Sequence, residues 1–166
     1  MPVWTEITNN RSQMVRHLYA WWEAHKGATG IADRRDVDPE ALKGLLPNLF
    51  ITEAERDPFR VRYRLVGTKA VATTGFDITG RYLDELLSGQ PDVPWIDYYR
   101  MVYDSRAPLL GTVVVPATSG GTFEYEFGIF PLTNGGTRIE QFIAVEDYFD
   151  VHLTAAQLLP WRPQEK

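Results

Sequence analysis

Leu46-Pro47-Asn48-Leu49-Phe50-Ile51-Thr52-Glu53, then Arg60-Val61-Arg62-Tyr63-Arg64-Leu65-Val66-Gly67, then Gly75-Phe76-Asp77-Ile78-Thr79-Gly80-Arg81-Tyr82-Leu83-Asp84-Glu85-Leu86 form the block that decides the architecture. Leu49–Glu53 reads as a strand, and Arg56-Asp57-Pro58 as a turn. Arg60–Val66 reads as a second strand, with Val61, Tyr63 and Leu65 on one face and Arg60, Arg62 and Arg64 on the other. A short turn between two such strands predicts a β-hairpin. After Gly67 the period changes. Thr68–Thr74 predicts a short helix closed by Gly75, Asp77–Gly80 a turn, and Leu83–Leu87 a further short helix.

Upstream, Asp38-Pro39-Glu40 is a helix start, with Asp38 as cap and Pro39 at the first helical position, so Pro39–Leu45 is expected to be helical and to stop before Pro47. Gly27–Arg35 is polar and reads as a loop. Before it, Met14, Leu18, Trp21 or Trp22, and His25 recur at helical spacing over Arg11–Lys26, with Asn9 or Asn10 as cap and Gly27 as terminator. Trp21 and Trp22 point about 100° apart on a helix, so one is expected to face the domain and the other solvent or a partner. Downstream, Pro91–Pro94 breaks the chain and Trp95–Ser105 predicts a longer, aromatic helix. Three strands follow, Leu109–Val115, Thr122–Phe130 and Arg138–Val145, the last two joined at Asn134-Gly135. The expected fold is α+β: a five-stranded antiparallel sheet covered on one face by short helices, with an N-terminal helical extension. Residues 1–35 are the extension, 36–148 the domain, and 149–166 a peripheral tail with a helical turn at Thr154–Leu159.

Composition narrows the function. With 166 residues the chain suits one domain that needs no staple. A net charge of -5 argues against nucleic acid as partner. Arg60, Arg62 and Arg64 form the basic cluster and read as the solvated face of a strand, with Arg64 placed to salt-bridge Asp84 or Glu85. The absence of cysteine removes disulfides, thiol chemistry and thiol-linked cofactors. The N-terminus is not a secretory signal, and no apolar run approaches the roughly 20 residues of a membrane span. A cytoplasmic protein without membrane contact is therefore expected.

Several segments together resemble a known family. Asp36-Val37-Asp38-Pro39 with Leu45-Leu46-Pro47-Asn48-Leu49-Phe50, then Tyr63-Arg64-Leu65-Val66-Gly67-Thr68, then Gly75-Phe76-Asp77-Ile78-Thr79-Gly80-Arg81 with Leu83-Asp84-Glu85-Leu86, are similar to the stand-alone bacterial PAS-domain family, as is Tyr19-Ala20-Trp21-Trp22. The resemblance spans roughly Tyr19–Val145 and lies chiefly in the central block. It implies a sensory or protein-interaction module that holds a small ligand between sheet and inserted helices, and that often dimerises through its N-terminal helix. On that basis Leu18, Trp21 and Trp22 are dimer candidates. Haem-binding members use a histidine on the helix before the third strand; Trp95–Ser105 has none, so haem is not expected. Cysteine-linked flavin and other cysteine-linked chromophores are excluded on the missing cysteine, and non-covalent flavin has no positive signal. The ligand itself is not named by the sequence.

Motifs of catalysis are thin. Gly75–Gly80 lacks the Gly-Lys-Ser/Thr ending of a phosphate loop. His17, His25 and His152 lack paired metal spacing. Glu124 and Glu126 alternate with Phe123, Tyr125 and Phe127, which reads as a solvated strand face. The expected ligand walls are Tyr63 and Arg64, the helix residues Trp95, Tyr98, Tyr99 and Val102, and Tyr125, Phe127, Gln141 and Ile143 from the strands. The leading expectation is a non-catalytic binding module whose output is another signalling protein. The alternatives are a small α+β-cone isomerase or dehydratase, for which Asp97, Asp104 or a histidine would face the pocket, and a ligand-free adaptor.

Overall fold

A computed structural model describes residues 2–86, 93–116 and 120–149. The expected features at Leu87, Pro91, His152 and Thr154–Leu159, and nearly all of the tail, lie outside them.

The strands are β1 (Val3–Trp4), β2 (Ala32–Asp33), β3 (Leu49–Arg56), β4 (Phe59–Val66), β5 (Leu109–Pro116), β6 (Thr122–Thr133) and β7 (Ile139–Asp147). The helices are α1 (Gln13–Ala24), α2 (Thr68–Thr74), α3 (Leu83–Leu86) and α4 (Trp95–Ser105). The sheet runs β1-β5-β6-β7-β3-β4, antiparallel throughout, and β2 adds in parallel to β6. The five expected strands are present, and β1 and β2 come from the N-terminal extension. The long connection through α2, α3 and α4 lets β3 pair with β7 although they are far apart in sequence.

Register assigns the faces. Phe50 opposes Ala144, Thr52 opposes Phe142, and Tyr125 lies beside Tyr148 across the β6–β7 ladder. These residues share the inner face, on which α4 lies: Trp95 and Tyr98 meet Phe127, and Tyr99 meets Phe142. The outer face carries Ile51, Phe130, Leu132, Ile143 and Val145, and α1 covers it. Tyr19 and Trp22 meet Phe130, and the Trp22 indole donates to the Pro131 carbonyl at 2.7 Å. Both faces of β6 and β7 are thus dry.

Four details depart from the sequence reading. Helix α1 is capped by Ser12, whose hydroxyl accepts from the Val15 amide at 3.1 Å, not by Asn9 or Asn10. Asn10 is occupied elsewhere: it accepts from the Trp4 indole and donates to Glu126. The helix ends at His25, ahead of Gly27. Pro39–Leu45 keeps the Asp38 cap, with the Asp38 carboxylate accepting from the Glu40 amide at 2.9 Å, but forms successive turns rather than a regular helix, because Gly44 and Pro47 deny it length. A bulge in the β3–β4 ladder after Ile51 turns Leu65 outward, where it is 43 % exposed, so the alternation through Val61 and Tyr63 does not reach Leu65.

A fifth departure concerns Glu126. It is 1 % exposed, on the outer face of β6, and not solvated. Its carboxylate accepts from the Asn10 amide at 3.0 Å, the Ser12 backbone N–H at 2.9 Å, and the backbone N–H and guanidinium of Arg11. Beside it the Ser12 hydroxyl donates to Asp147 at 2.6 Å. Burial alone would raise the Glu126 pKa, but the Ser12 and Arg11 amides and the Asn10 and Arg11 side chains together hold it below the ordinary carboxylate range. This latch fixes the start of α1 to the sheet.

Replacing Glu126 by Ala leaves the buried donors of Asn10 and Ser12 unpaired and is expected to cost about 2–4 kcal/mol, measured by urea unfolding. Because the folded-state pKa lies below the unfolded one, the stability from this carboxylate is present above the ordinary carboxylate range and is lost as pH falls through the folded value. At Gly67 a Cβ would meet the Pro47 carbonyl oxygen at 2.3 Å, and backbone cannot yield there. Gly67→Ala is expected to destabilise by roughly 3 kcal/mol, the upper end for overpacking, in the same assay.

Candidate functional site

The inner face carries a polar cluster near the C-terminal end of β7. Glu146 projects inward because it lies two residues from Ala144 and four from Phe142 on the same strand. The Tyr148 hydroxyl donates to Glu146 Oε2. Tyr125 of β6 stands beside Tyr148, ring centroids 5.2 Å apart, and Phe123 stacks on both. Tyr63 of β4 and Tyr99 of α4 close the group, and Tyr99 and Glu146 act electrostatically on Tyr63. The Thr52 hydroxyl lies beneath Tyr99, buried without a well-formed hydrogen bond. The Asn48 side chain donates to the Glu146 carbonyl at 2.6 Å and fixes the strand end.

Burial dominates the electrostatics. It raises the Glu146 carboxyl to about 7, against the smaller opposing effect of the Tyr148 hydrogen bond. Burial likewise raises Tyr63, Tyr125 and Tyr148, with the neighbouring Glu146 adding to each, so these phenols stay neutral at physiological pH. Tyr99 is raised by burial as well. Tyr63 and Glu146 are nonetheless only half-buried by surface, although protein atoms surround them. Among the described residues, the hydroxyls of Tyr63 and Tyr125 make no hydrogen bond, and neither is sealed from solvent.

The expected wall residues divide. Tyr63, Trp95, Tyr98, Tyr99, Val102, Tyr125 and Phe127 are on the inner side, where Trp95, Tyr98 and Phe127 spend their rings on one another. Gln141 and Ile143 do not face the site. They oppose Leu132 and Phe130 on the outer face, and the inner residues of β7 are Phe142, Ala144 and Glu146. Arg64 also points away: it is exposed and 3.5 Å from Glu53, and it is Arg60, not Arg64, that pairs with Asp84 at 2.9 Å. Leu18, Trp21 and Trp22 are buried, at 0, 7 and 2 % exposure, against their own sheet. They therefore present no dimer surface, and neither tryptophan faces solvent. Asp97, Asp104, His17 and His25 are exposed. Among the described residues no group of His, Cys, Asp or Glu is arranged to hold a metal ion, and no helix is long and apolar enough to cross a membrane.

The sequence reading missed Glu146 and Tyr148. The signal was their parity: Glu146 and Tyr148 share a face with Phe142, so an inward Phe142 would have placed both inside.

A family model described as a PAS domain matches residues 10–143. The chain belongs to the PAS domain family. Its fold is that of PAS-type sensory modules. No curated protein matches it. Solved structures to which it is similar include the dark structure of the blue-light photoreceptor Aureochrome1 LOV (21% identity, TM-score 0.48, covering 68% of this chain and 84% of that one). Another is from work on a flavin analogue and the light-oxygen-voltage domain mechanism (18% identity, TM-score 0.48, 64% and 80%). A third is the Cys71Ser mutant of Vivid (15% identity, TM-score 0.45, 66% and 83%). These likenesses correct one expectation. The exclusion of a cysteine-linked flavin does not stand as an exclusion of flavin: solved structures similar to this chain include light-oxygen-voltage domains, one of them from work on a flavin analogue. Lack of cysteine forbids a thiol bond to a chromophore and nothing more.

For Glu146 the folded-state pKa is raised, so its protonated form favours folding and stability falls as pH rises from the ordinary carboxylate range through about 7. Glu146→Gln keeps the shape and removes the titration. It is expected to abolish that decline and to be more stable than the natural chain at pH 8 by roughly 2 kcal/mol, read from urea midpoints at pH 6 and pH 8.

Proposed function

We propose that this PAS domain is a non-catalytic sensory module that binds a small ligand among Tyr63, Tyr99, Tyr125, Glu146 and Tyr148 and transmits occupancy through β7 to helix α1. One observation carries the reading: the phenol hydroxyls of Tyr63 and Tyr125 and the half-buried Glu146 carboxyl converge on the inner face with fewer protein hydrogen bonds than they can make. A ligand with complementary polar atoms would take up those unused donors and acceptors. The rest of the inner face is filled by the protein's own rings, so a ligand-free adaptor is the second reading that this packing favours.

Transmission is supported by adjacency along β7. Glu146 faces the site, and Asp147, the next residue, faces outward to hold Ser12 at the start of α1. Asp147 also accepts from the Phe149 amide at 2.8 Å, and the Phe149 carbonyl accepts from Lys69 of α2 at 3.3 Å. A ligand that shifts Glu146 and Tyr148 moves the anchor of α1, whose release offers a surface to a signalling partner. The acidic chain makes a protein a better partner than nucleic acid.

Native mass spectrometry of the purified protein is expected to reveal a co-purified small molecule, released unchanged on denaturation, and its loss is expected to lower the unfolding temperature. Hydrogen exchange at the Val15 and Arg16 amides should then rise or fall with occupancy in the natural chain and not in Ser12→Ala. Recovery of a chemically altered ligand would instead support proton-transfer catalysis by Glu146, a third reading that its raised pKa permits. Absence of any bound or stabilising molecule would defeat both and leave the adaptor.

A further inference from the structure

The charge pattern around the cluster restricts what can occupy it. Glu146 Oε2 accepts from Tyr148, whereas Oε1 accepts no hydrogen bond among the described residues. No lysine or arginine described here forms an ion pair with Glu146. Arg62 and Arg64 are held by Glu53 on the outer face, and Lys69 donates to the Phe149 carbonyl. The site therefore holds an acid with no resident cation, surrounded by phenol rings. Ring faces are electron-rich and attract cations, and the attraction grows as water is excluded. An anionic ligand would be repelled by the ionised Glu146 carboxylate, with only neutral hydroxyls in return.

Resting on the reading of this cluster as the ligand site, we propose that the ligand presents a compact organic cation, an ammonium or amidinium group, to the Glu146 carboxylate and to the rings of Tyr125 and Tyr148. The tyrosines supply π-faces and hydroxyls, and Glu146 supplies the countercharge.

A pH signature follows. The groups facing Glu146 are Tyr148 just after β7, Tyr125 of β6, Tyr63 of β4, Tyr99 of α4 and, beneath Tyr99, Thr52 of β3. The phenols titrate far above neutrality, so Glu146 is the group that ionises near 7. A cation binds the ionised carboxylate and expels its proton, so affinity rises with pH through that range. A neutral acceptor or an anion would favour the protonated carboxyl and show the opposite trend.

The test compares benzylammonium with benzyl alcohol, alike in shape and different in charge, by calorimetric titration of the full chain at pH 6 and pH 8. Tyrosine ring resonances report where each one sits. The expected result is benzylammonium binding at least about tenfold tighter than the alcohol at pH 8, weakening toward pH 6, with that preference removed in Glu146→Gln. Glu146→Gln is expected to fold, so its loss of preference reads the charge and not the scaffold. Equal affinities, or a preference for the alcohol, with shifts at Tyr125 and Tyr148 overturn the cation and leave the ligand site standing. No binding of either probe and no ring shifts overturn both.

Discussion

A buried carboxylate must be met by donors, and Glu126 meets its requirement with the segment that begins α1. The amides of Arg11 and Ser12 and the side chain of Asn10 can all reach one carboxylate only if the chain enters the helix directly over β6. That single requirement fixes where α1 starts. From Ser12 the helical period then carries Val15, Leu18 and Trp22 down onto β6 and β7, and the Trp22 indole reaches the Pro131 carbonyl. The same segment brings Trp4 into hydrogen-bond range of Asn10 and lays β1 along the edge of β5. Helix α1 is thus part of the domain, and the outer face that a helix-less version would expose is closed.

Closure of both faces explains what could be read from the sequence and what could not. The β3–β4 hairpin alternates because its outer face is partly wet, so Val61 and Tyr63 announced their side against Arg60 and Arg62. Trp95–Ser105 lies between sheet and solvent, and its helical period gave its limits directly. In β6 and β7 the alternation is lost: Phe127, Phe130, Phe142 and Ile143 are all buried, on opposite faces. With no polar side to set the phase, Ile143 and Gln141 were placed inside by one residue's slip, which reverses every side chain on the strand. Glu126 misled for a related reason. A glutamate on a strand usually faces water, and only tertiary packing of a segment more than a hundred residues upstream reveals its donors.

The same slip concealed the site. Glu146 and Asp147 are consecutive acids at a strand end and resemble an exit into solvent. In a sheet covered on both faces, consecutive residues enter two separate environments, so one acid goes to the inner cluster and its neighbour to the helix anchor. Their roles then diverge through physics alone. Glu146 gains little hydrogen bonding for its burial and keeps its proton near neutrality. Asp147 accepts from Ser12 and Phe149. A peptide unit is rigid, so displacement of one side chain's backbone moves the other's. The pair therefore joins the inner face to the start of α1 through a single peptide unit, without a chain of intermediaries.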